Sequence, residues 1–182
     1  SDLLNTWFKP SVVREKMDEF YTLLTPEMQE NVERWRYPSL ADNLADRAIE
    51  TPSLAQWDTT FYYLRRFARR RDRKTRDHMQ LEWTLPDSNY LTVNVNNQDM
   101  GYVKVNSILI NDKLPGVEPV VYPWTGIYMQ TISVPLKAIP KPGYRFVEWQ
   151  GTTETESEIS WSSAGDSTFT AVFEIDPEYK PV

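Results

Sequence analysis

The chain has no cysteine, one histidine and six glycines among 182 residues. Without cysteine it forms no disulfide, thiolate zinc site or cysteine nucleophile. One histidine, His78, is too few for a multi-histidine metal site, and no glycine belongs to a phosphate-binding loop. No apolar run approaches the roughly 20 residues that span a bilayer. We therefore predict no catalytic residue, no cofactor, no metal and no membrane span in this chain.

The composition is that of a folded protein, with 40% hydrophobic and 13% aromatic residues. These fractions suffice for a packed core in one domain or two small ones. The first residues, Ser1-Asp2-Leu3-Leu4, carry no signal peptide. Their pattern predicts that the chain is cut from within a longer polypeptide.

The first 80 residues carry the spacing of helices. Pro10 suits a first helical turn, and an apolar stripe follows it at Val13, Met17, Phe20 and Leu24. Thr25-Pro26 predicts the N-terminus of a second helix. Its apolar face would be Met28, Val32 and Trp35, and Pro38 would end it.

Two further helices are predicted before residue 80. The segment 39–42 has the pattern of a cap for a short third helix. Ser53-Leu54-Ala55-Gln56 fits a capping box and opens the longest helix. Trp57, Phe61, Leu64 and Ala68 would line the buried side of that helix.

The second half changes to the two-residue period of strands. Strands are predicted at 90–96, 102–106, 134–139, 144–149, 159–161 and 169–175. Pro135 predicts that its strand lies at an edge or a bulge, and Phe146 and Trp149 are expected in the core. The boundary falls near 85–89. The predicted fold class is α+β by segregation, with a helical segment of three to four helices at 1–85 and a small, mainly antiparallel β module at 86–182.

Residues 144–151, Tyr-Arg-Phe-Val-Glu-Trp-Gln-Gly, and 168–173, Thr-Phe-Thr-Ala-Val-Phe, show a repeat-like pattern. It consists of an aromatic strand that ends in Trp-x-Gly and a last strand that ends in Thr-Ala-x-Phe. The segments 124–128 and 134–140 fit the same pattern, although Pro135 replaces the usual Thr. This part of the chain resembles the divergent internalin-type B repeat.

Residues 7 to about 85 resemble the C-terminal helices of bacterial CotH-type kinase-like proteins, also called spore coat protein H-like. The matching positions are 8–10, Arg34-Trp35, the run from Leu64 to Arg71, and Arg76-x-His78. In such proteins from Bacteroidetes-like bacteria a B-repeat-type module often follows directly, as it does here.

The two resemblances imply a secreted or cell-surface protein whose catalytic, ATP-binding part lies upstream. They imply that this chain is not itself an enzyme and that it serves a structural, spacer or interaction role. The implied partners are the upstream kinase-like region of the same polypeptide and a surface glycan or protein.

A basic run at 65–76 holds eight Lys and Arg residues in a chain of net charge -6. Its arginines could contact nucleic acid, but on a helix they also occupy the positions left over by the apolar face. There they could pair with acidic residues of the first helices or face another domain. We expect no nucleic acid as a partner. The candidate interaction residues in the run are Arg65, Arg66, Arg69, Arg70, Arg73 and Arg76.

Aromatic residues are dense between 122 and 161, which leaves two alternatives open. They could fill the core of the β module, or they could form an exposed surface that binds a carbohydrate or a protein by stacking. Trp124 follows Pro123 in a segment with the character of a loop, so it is the candidate expected to be exposed. The candidate interaction residues are Tyr122, Trp124 and Tyr128.

Overall fold

A computed structural model describes residues 1–35, 53–117, 120–162 and 164–180. It divides into two compact units. The β unit comprises Ser1–Lys9 and Thr75–Val182, and the helical unit comprises Pro10–Lys74. The predicted α+β class is confirmed, with helices followed by two sheets. The helices are α1 (Asp2–Asn5), α2 (Pro10–Trp35) and α3 (Leu54–Glu82). The strands are β1 (Ser88–Val95), β2 (Gly101–Val105), β3 (Ile108–Ile110), β4 (Trp124–Met129), β5 (Ser133–Pro140), β6 (Tyr144–Gln150), β7 (Glu158–Ser162) and β8 (Ser167–Ile175).

Helix α2 is continuous through Pro26, so the predicted restart at Thr25-Pro26 is wrong. Thr25 does not cap a new helix. Its hydroxyl donates to the carbonyl of Tyr21 at 2.6 Å, which is the bond that a threonine makes inside a helix. The same hydroxyl accepts a hydrogen bond of 3.1 Å from the Trp57 indole, which ties the middle of α2 to α3.

The buried face of α2 is rotated relative to the predicted stripe. Phe20 and Leu24 are exposed, and Tyr21 instead packs against Trp57 and Phe61 of α3. Tyr21 can do so because its ring packs while its hydroxyl donates to Asp58 at 2.6 Å. Farther along the helix, Met28 and Val32 are buried as predicted.

Helix α3 begins as predicted, since the Gln56 N–H donates to the Ser53 hydroxyl at 3.1 Å. Phe61 and Ala68 are buried, whereas Leu64 is exposed. The predicted short helix near 39–42, the stop at Pro38 and the side chain of Trp35 lie outside the described residues.

The β unit contains two four-stranded sheets with the strand orders β4-β1-β8-β6 and β3-β2-β5-β7. All six predicted strands are confirmed, and β3 and β4 are additional. Every pairing is antiparallel except that of β1 with β8. One continuous hydrophobic cluster takes inward side chains from both sheets, so the sheets pack face to face. Trp149 is buried in this cluster, and Phe146 is partly buried against it.

Strand β1 is a central strand of its sheet. It pairs with β4 on one side and with β8 on the other. Leu91, Val93 and Val95 alternate toward the core and are buried. The strand therefore joins two elements that follow it in the chain by about 30 and 70 residues.

The prediction that Pro135 marks an edge or a bulge is wrong. Strand β5 lies between β2 and β7, and Pro135 pairs with Ser160 of β7 without a register shift. The Pro135 carbonyl accepts from the Asn106 N–H at 2.7 Å, just beyond the last paired residue of β2. The proline nitrogen thus faces the end of the β2 ladder, where the lost donor costs little.

The glycine of the Trp-x-Gly pattern is required by its backbone. Gly151 has φ +101°, and an added Cβ would lie 2.2 Å from the Thr168 carbonyl oxygen. We expect Gly151→Ala to lower the free energy of unfolding by about 2 kcal/mol or more. Gly165→Ala is the matched control, because nothing lies within 4 Å of a Cβ there. Urea denaturation of both variants tests this, and equal stability would contradict it.

Candidate functional site

Arg65 lies against helix α2 and is ion-paired. Its Nε donates to Asp18 Oδ1 at 2.6 Å, and its guanidinium lies 4.9 Å from the centre of the Tyr21 ring. The pairing predicted between the basic run and acidic residues of the first helices is confirmed for this pair. Both side chains keep solvent contact, so the ion pair stabilises the helical unit by no more than about 1 kcal/mol.

The middle of the basic run is exposed and carries aromatic side chains. Arg66, Arg69, Arg70 and Arg73 are exposed. Tyr63 and Phe67, at helical spacing with two of these arginines, are 58% and 57% exposed. The Arg71 guanidinium lies 5.7 Å from the centre of the Phe67 ring, within cation–π range. We call this surface the aromatic–basic stripe, defined by the following residues: Tyr63, Arg66, Phe67, Arg70, Arg71 and Lys74.

Arg76 does not belong to an exposed basic surface, and this corrects the predicted set. It is 5% exposed and lies in the β unit. Its Nη2 donates to Asn5 Oδ1 at 2.9 Å. The last arginine of the run is therefore a structural residue of the β unit, while the arginines before it lie in the helical unit.

Tyr122, Trp124 and Tyr128 are all buried, so the core alternative holds for these three residues and the expected exposure of Trp124 is wrong. Trp124 is only 5% exposed, since it opens strand β4 and pairs with Val93 of β1. The alternation of Trp124, Gly126 and Tyr128 is the period-two signal that could have identified this strand. These rings form part of the core and present no stacking surface.

Both tyrosines of this set place their hydroxyls in hydrogen bonds. Tyr122 donates to the Ile110 carbonyl at 2.7 Å and accepts from the Val103 N–H at 2.8 Å. Burial raises the pKa of the Tyr122 phenol. Tyr128 donates to Asp2 Oδ1 at 3.1 Å. Burial, reinforced by the Asp2 carboxylate, raises the pKa of the Tyr128 phenol. Both groups therefore stay neutral donors at physiological pH.

A cleft of about 420 Å³ opens beside Tyr122 in the β unit. Its walls are the β1–β2 turn at Gln98 and Asp99, the half-buried ring of Tyr102, residues 111–113 and Lys141. Leu109, Ile110, Val121 and Tyr122 complete the lining, so amide, carboxylate and ammonium groups lie beside aromatic and aliphatic ones. This is the type of lining that binds small polar ligands.

Asp2 and Asn5 are contact residues that the sequence analysis did not identify. Both belong to the one-turn helix α1, which lies in the β unit. Asn5 bonds to the backbone of Ile127, and Asp2 bonds to the Asn106-Ser107 turn. A segment this short has no periodicity that a sequence pattern could reveal.

Two further properties concern the described residues only. No group of three or more His, Cys, Asp or Glu side chains among them is placed to hold a metal ion. Within the same ranges, no helix has both the length and the apolar character of a membrane span.

Residues 120–177 match the family model of the divergent InlB B-repeat domain. The match covers strands β4 to β8, and the resemblance of this region to a B repeat is confirmed. Searches of curated proteins and of solved structures gave no significant match. The resemblance of the helical region to CotH-type proteins stays a prediction.

The contrast between Arg76 and Arg73 gives a matched test of these assignments. Arg76→Met removes a buried hydrogen bond to Asn5 and should lower the free energy of unfolding by about 2–3 kcal/mol. Arg73→Met changes an exposed side chain three residues away and should stay within about 0.5 kcal/mol of the wild type. Thermal or urea denaturation measures both, and a neutral Arg76→Met would contradict the structural assignment.

Proposed function

We propose that this chain is a non-catalytic region of a secreted or cell-surface bacterial protein, in which the β unit serves as a spacer and interaction module. The match of β4–β8 to the divergent InlB B-repeat domain carries this proposal. Such repeats are typically surface-associated. The module builds its core from two sheets and large aromatic side chains without any cysteine, so its stability does not depend on the redox state of its surroundings.

The proposal assigns a docking role to the helical unit. Its partner would be an upstream, kinase-like region of the same polypeptide, as the CotH-type resemblance implies. Phe20 and Leu23 are exposed and lie three residues apart on α2, so they share one face of the helix. Exposed apolar side chains on one face support an interaction role. The aromatic–basic stripe supplies the charged part of such an interface, since aromatic residues and arginine are enriched where proteins meet.

Surface location can be tested on the bacterium that makes the protein. We expect protease added to intact cells to degrade this region, while a cytoplasmic marker protein survives until the cells are lysed. Protection in intact cells would contradict the surface location. The purified chain should release no phosphate from ATP above a heat-denatured sample, and turnover would contradict the non-catalytic role.

The cleft beside Tyr102 favours a second candidate function, which is binding of a saccharide. Sugars bind through stacking on an aromatic face and hydrogen bonds to carboxylates and amides. Tyr102, which is half-buried and packs partly against the core, and the exposed Asp99 would provide these two contacts. The exposed aromatic surface first expected at Trp124 has no part in this candidate.

A glycan array tests the second candidate. If the cleft binds a sugar, Tyr102→Ala should weaken the signal at least tenfold, because it removes the stacking surface. Tyr90→Ala, which changes an exposed tyrosine outside the cleft, is the control and should leave binding unchanged. The absence of binding to any glycan, or equal binding by both variants, would exclude this role for the cleft.

A further inference from the structure

Asn5 makes the contacts that a neighbouring strand would make. Its Oδ1 accepts from the Ile127 N–H at 2.9 Å, and its Nδ2 donates to the Ile127 carbonyl at 3.0 Å. Strand β4 is at the edge of its sheet. Because β1 occupies the other side, these backbone groups of Ile127 point to the open edge. One carboxamide therefore satisfies both groups, as a paired peptide unit does in a sheet.

Asp2 makes a second cluster of bonds one turn earlier. Its Oδ2 accepts from the Asn106 side chain at 2.8 Å and from the Ser107 N–H at 3.1 Å, and the Ser107 hydroxyl also donates to it. Its Oδ1 accepts from Tyr128. A carboxylate with several donors is bound strongly, since charge-assisted hydrogen bonds exceed neutral ones in strength.

Other residues of the segment are also buried or hydrogen-bonded within the β unit. Leu4 and Thr6 are buried, and Lys9 Nζ donates to the Gly116 carbonyl at 2.7 Å. Asn5 is 7% exposed, and its Oδ1 also accepts a hydrogen bond from the buried Arg76. Specific polar contacts thus extend along residues 2–9.

These contacts form a receptor that we call the β4-edge site, consisting of the Ile127 backbone, Asn106, Ser107, Tyr128 and Arg76. Along the chain, the segment Ser1–Lys9 is joined to the rest of the β unit by the whole helical unit, Pro10–Lys74. All its contacts with the site are noncovalent. The site recognises a carboxylate and, three residues later, a carboxamide.

We propose that the β4-edge site is a peptide-binding site which the chain fills with its own Asp2 and Asn5, and which also accepts the same segment from a second copy. Linkage within one chain gives its own segment a high effective concentration, so the closed monomer dominates in dilute solution. Exchange of an identical element between two copies needs no new type of contact.

Two complementary variants of the full chain test this proposal. Asp2→Ala combined with Asn5→Ala removes the side-chain contacts of the segment but keeps the residues of the site. Ser107→Glu keeps the segment and places a second carboxylate against Asp2 in the site. We expect the Ser107→Glu chain alone to be monomeric, and its equimolar mixture with the double variant to contain a one-to-one heterodimer that neither chain forms alone, measured by size-exclusion chromatography with light scattering. A monomeric mixture would count against exchange.

A labelled peptide of residues 1–9 provides the second measurement. It should bind the Asp2→Ala, Asn5→Ala chain at least tenfold more tightly than the wild-type chain, whose own segment competes. The same peptide with Asn5→Asp should bind at least tenfold more weakly, because it loses the donor to the Ile127 carbonyl. If the double variant loses its circular dichroism signal, the full chain with Asn5→Asp alone replaces it. A folded variant that neither binds the peptide nor forms the heterodimer would overturn the proposal.

Discussion

The placement of strand β1 between β4 and β8 is the constraint on which the β unit depends. Without β1, β4 would have no strand partner, since β1 provides its only strand pairing among the described residues. The buried side chains of β1 also fill the centre of the core. The segment that matches the B-repeat family begins at residue 120, after β1 has ended. The repeat-like strands are therefore completed by residues that precede the match.

Much of this fold could be predicted from local patterns. Alternation identified six strands because their side chains alternate between a core and solvent, and the capping box at Ser53 identified the start of α3. The predicted boundary between helices and strands, near residue 85, coincides with the change from α3 to β1. The compact units divide elsewhere, at Lys9 and Thr75, because tertiary contacts and not secondary structure define them.

The errors share a physical cause, which is that tertiary packing decides between options that the local sequence leaves open. Phe20 is more apolar than Tyr21, yet Tyr21 faces α3, where its hydroxyl also donates a hydrogen bond to Asp58. Pro123 before β4 indicates a loop, and Gly126 places a residue without a side chain in the alternating pattern of β4. Trp124 therefore had the pattern of a loop residue. Arg76 and Arg73 are chemically identical, and only the contacts of the fold separate a buried residue from an exposed one.

Both units expose apolar side chains among the described residues, such as Phe20 and Phe67 in the helical unit and Trp7 and Ile175 in the β unit. In the β unit Tyr122, Trp124 and Tyr128, the candidates for a ligand-binding surface, are in the core, and polar and apolar residues together line its cleft. In the helical unit apolar, aromatic and basic side chains remain exposed among the described residues. A partner of the helical unit would therefore meet apolar and basic side chains together, and a ligand in the cleft of the β unit would meet polar and apolar groups side by side.

The bonds of Asn5 to Ile127 have a consequence for how the chain is divided. The polypeptide leaves the β unit at Lys9 and returns to it at Thr75, so the helical unit is an insertion within a discontinuous domain. A fragment that began at residue 86 would contain every strand but would lack Asn5 and Arg76. Its β4 edge would expose unpaired backbone groups that favour aggregation. The β unit thus depends on Asn5, a residue far from its strands in sequence.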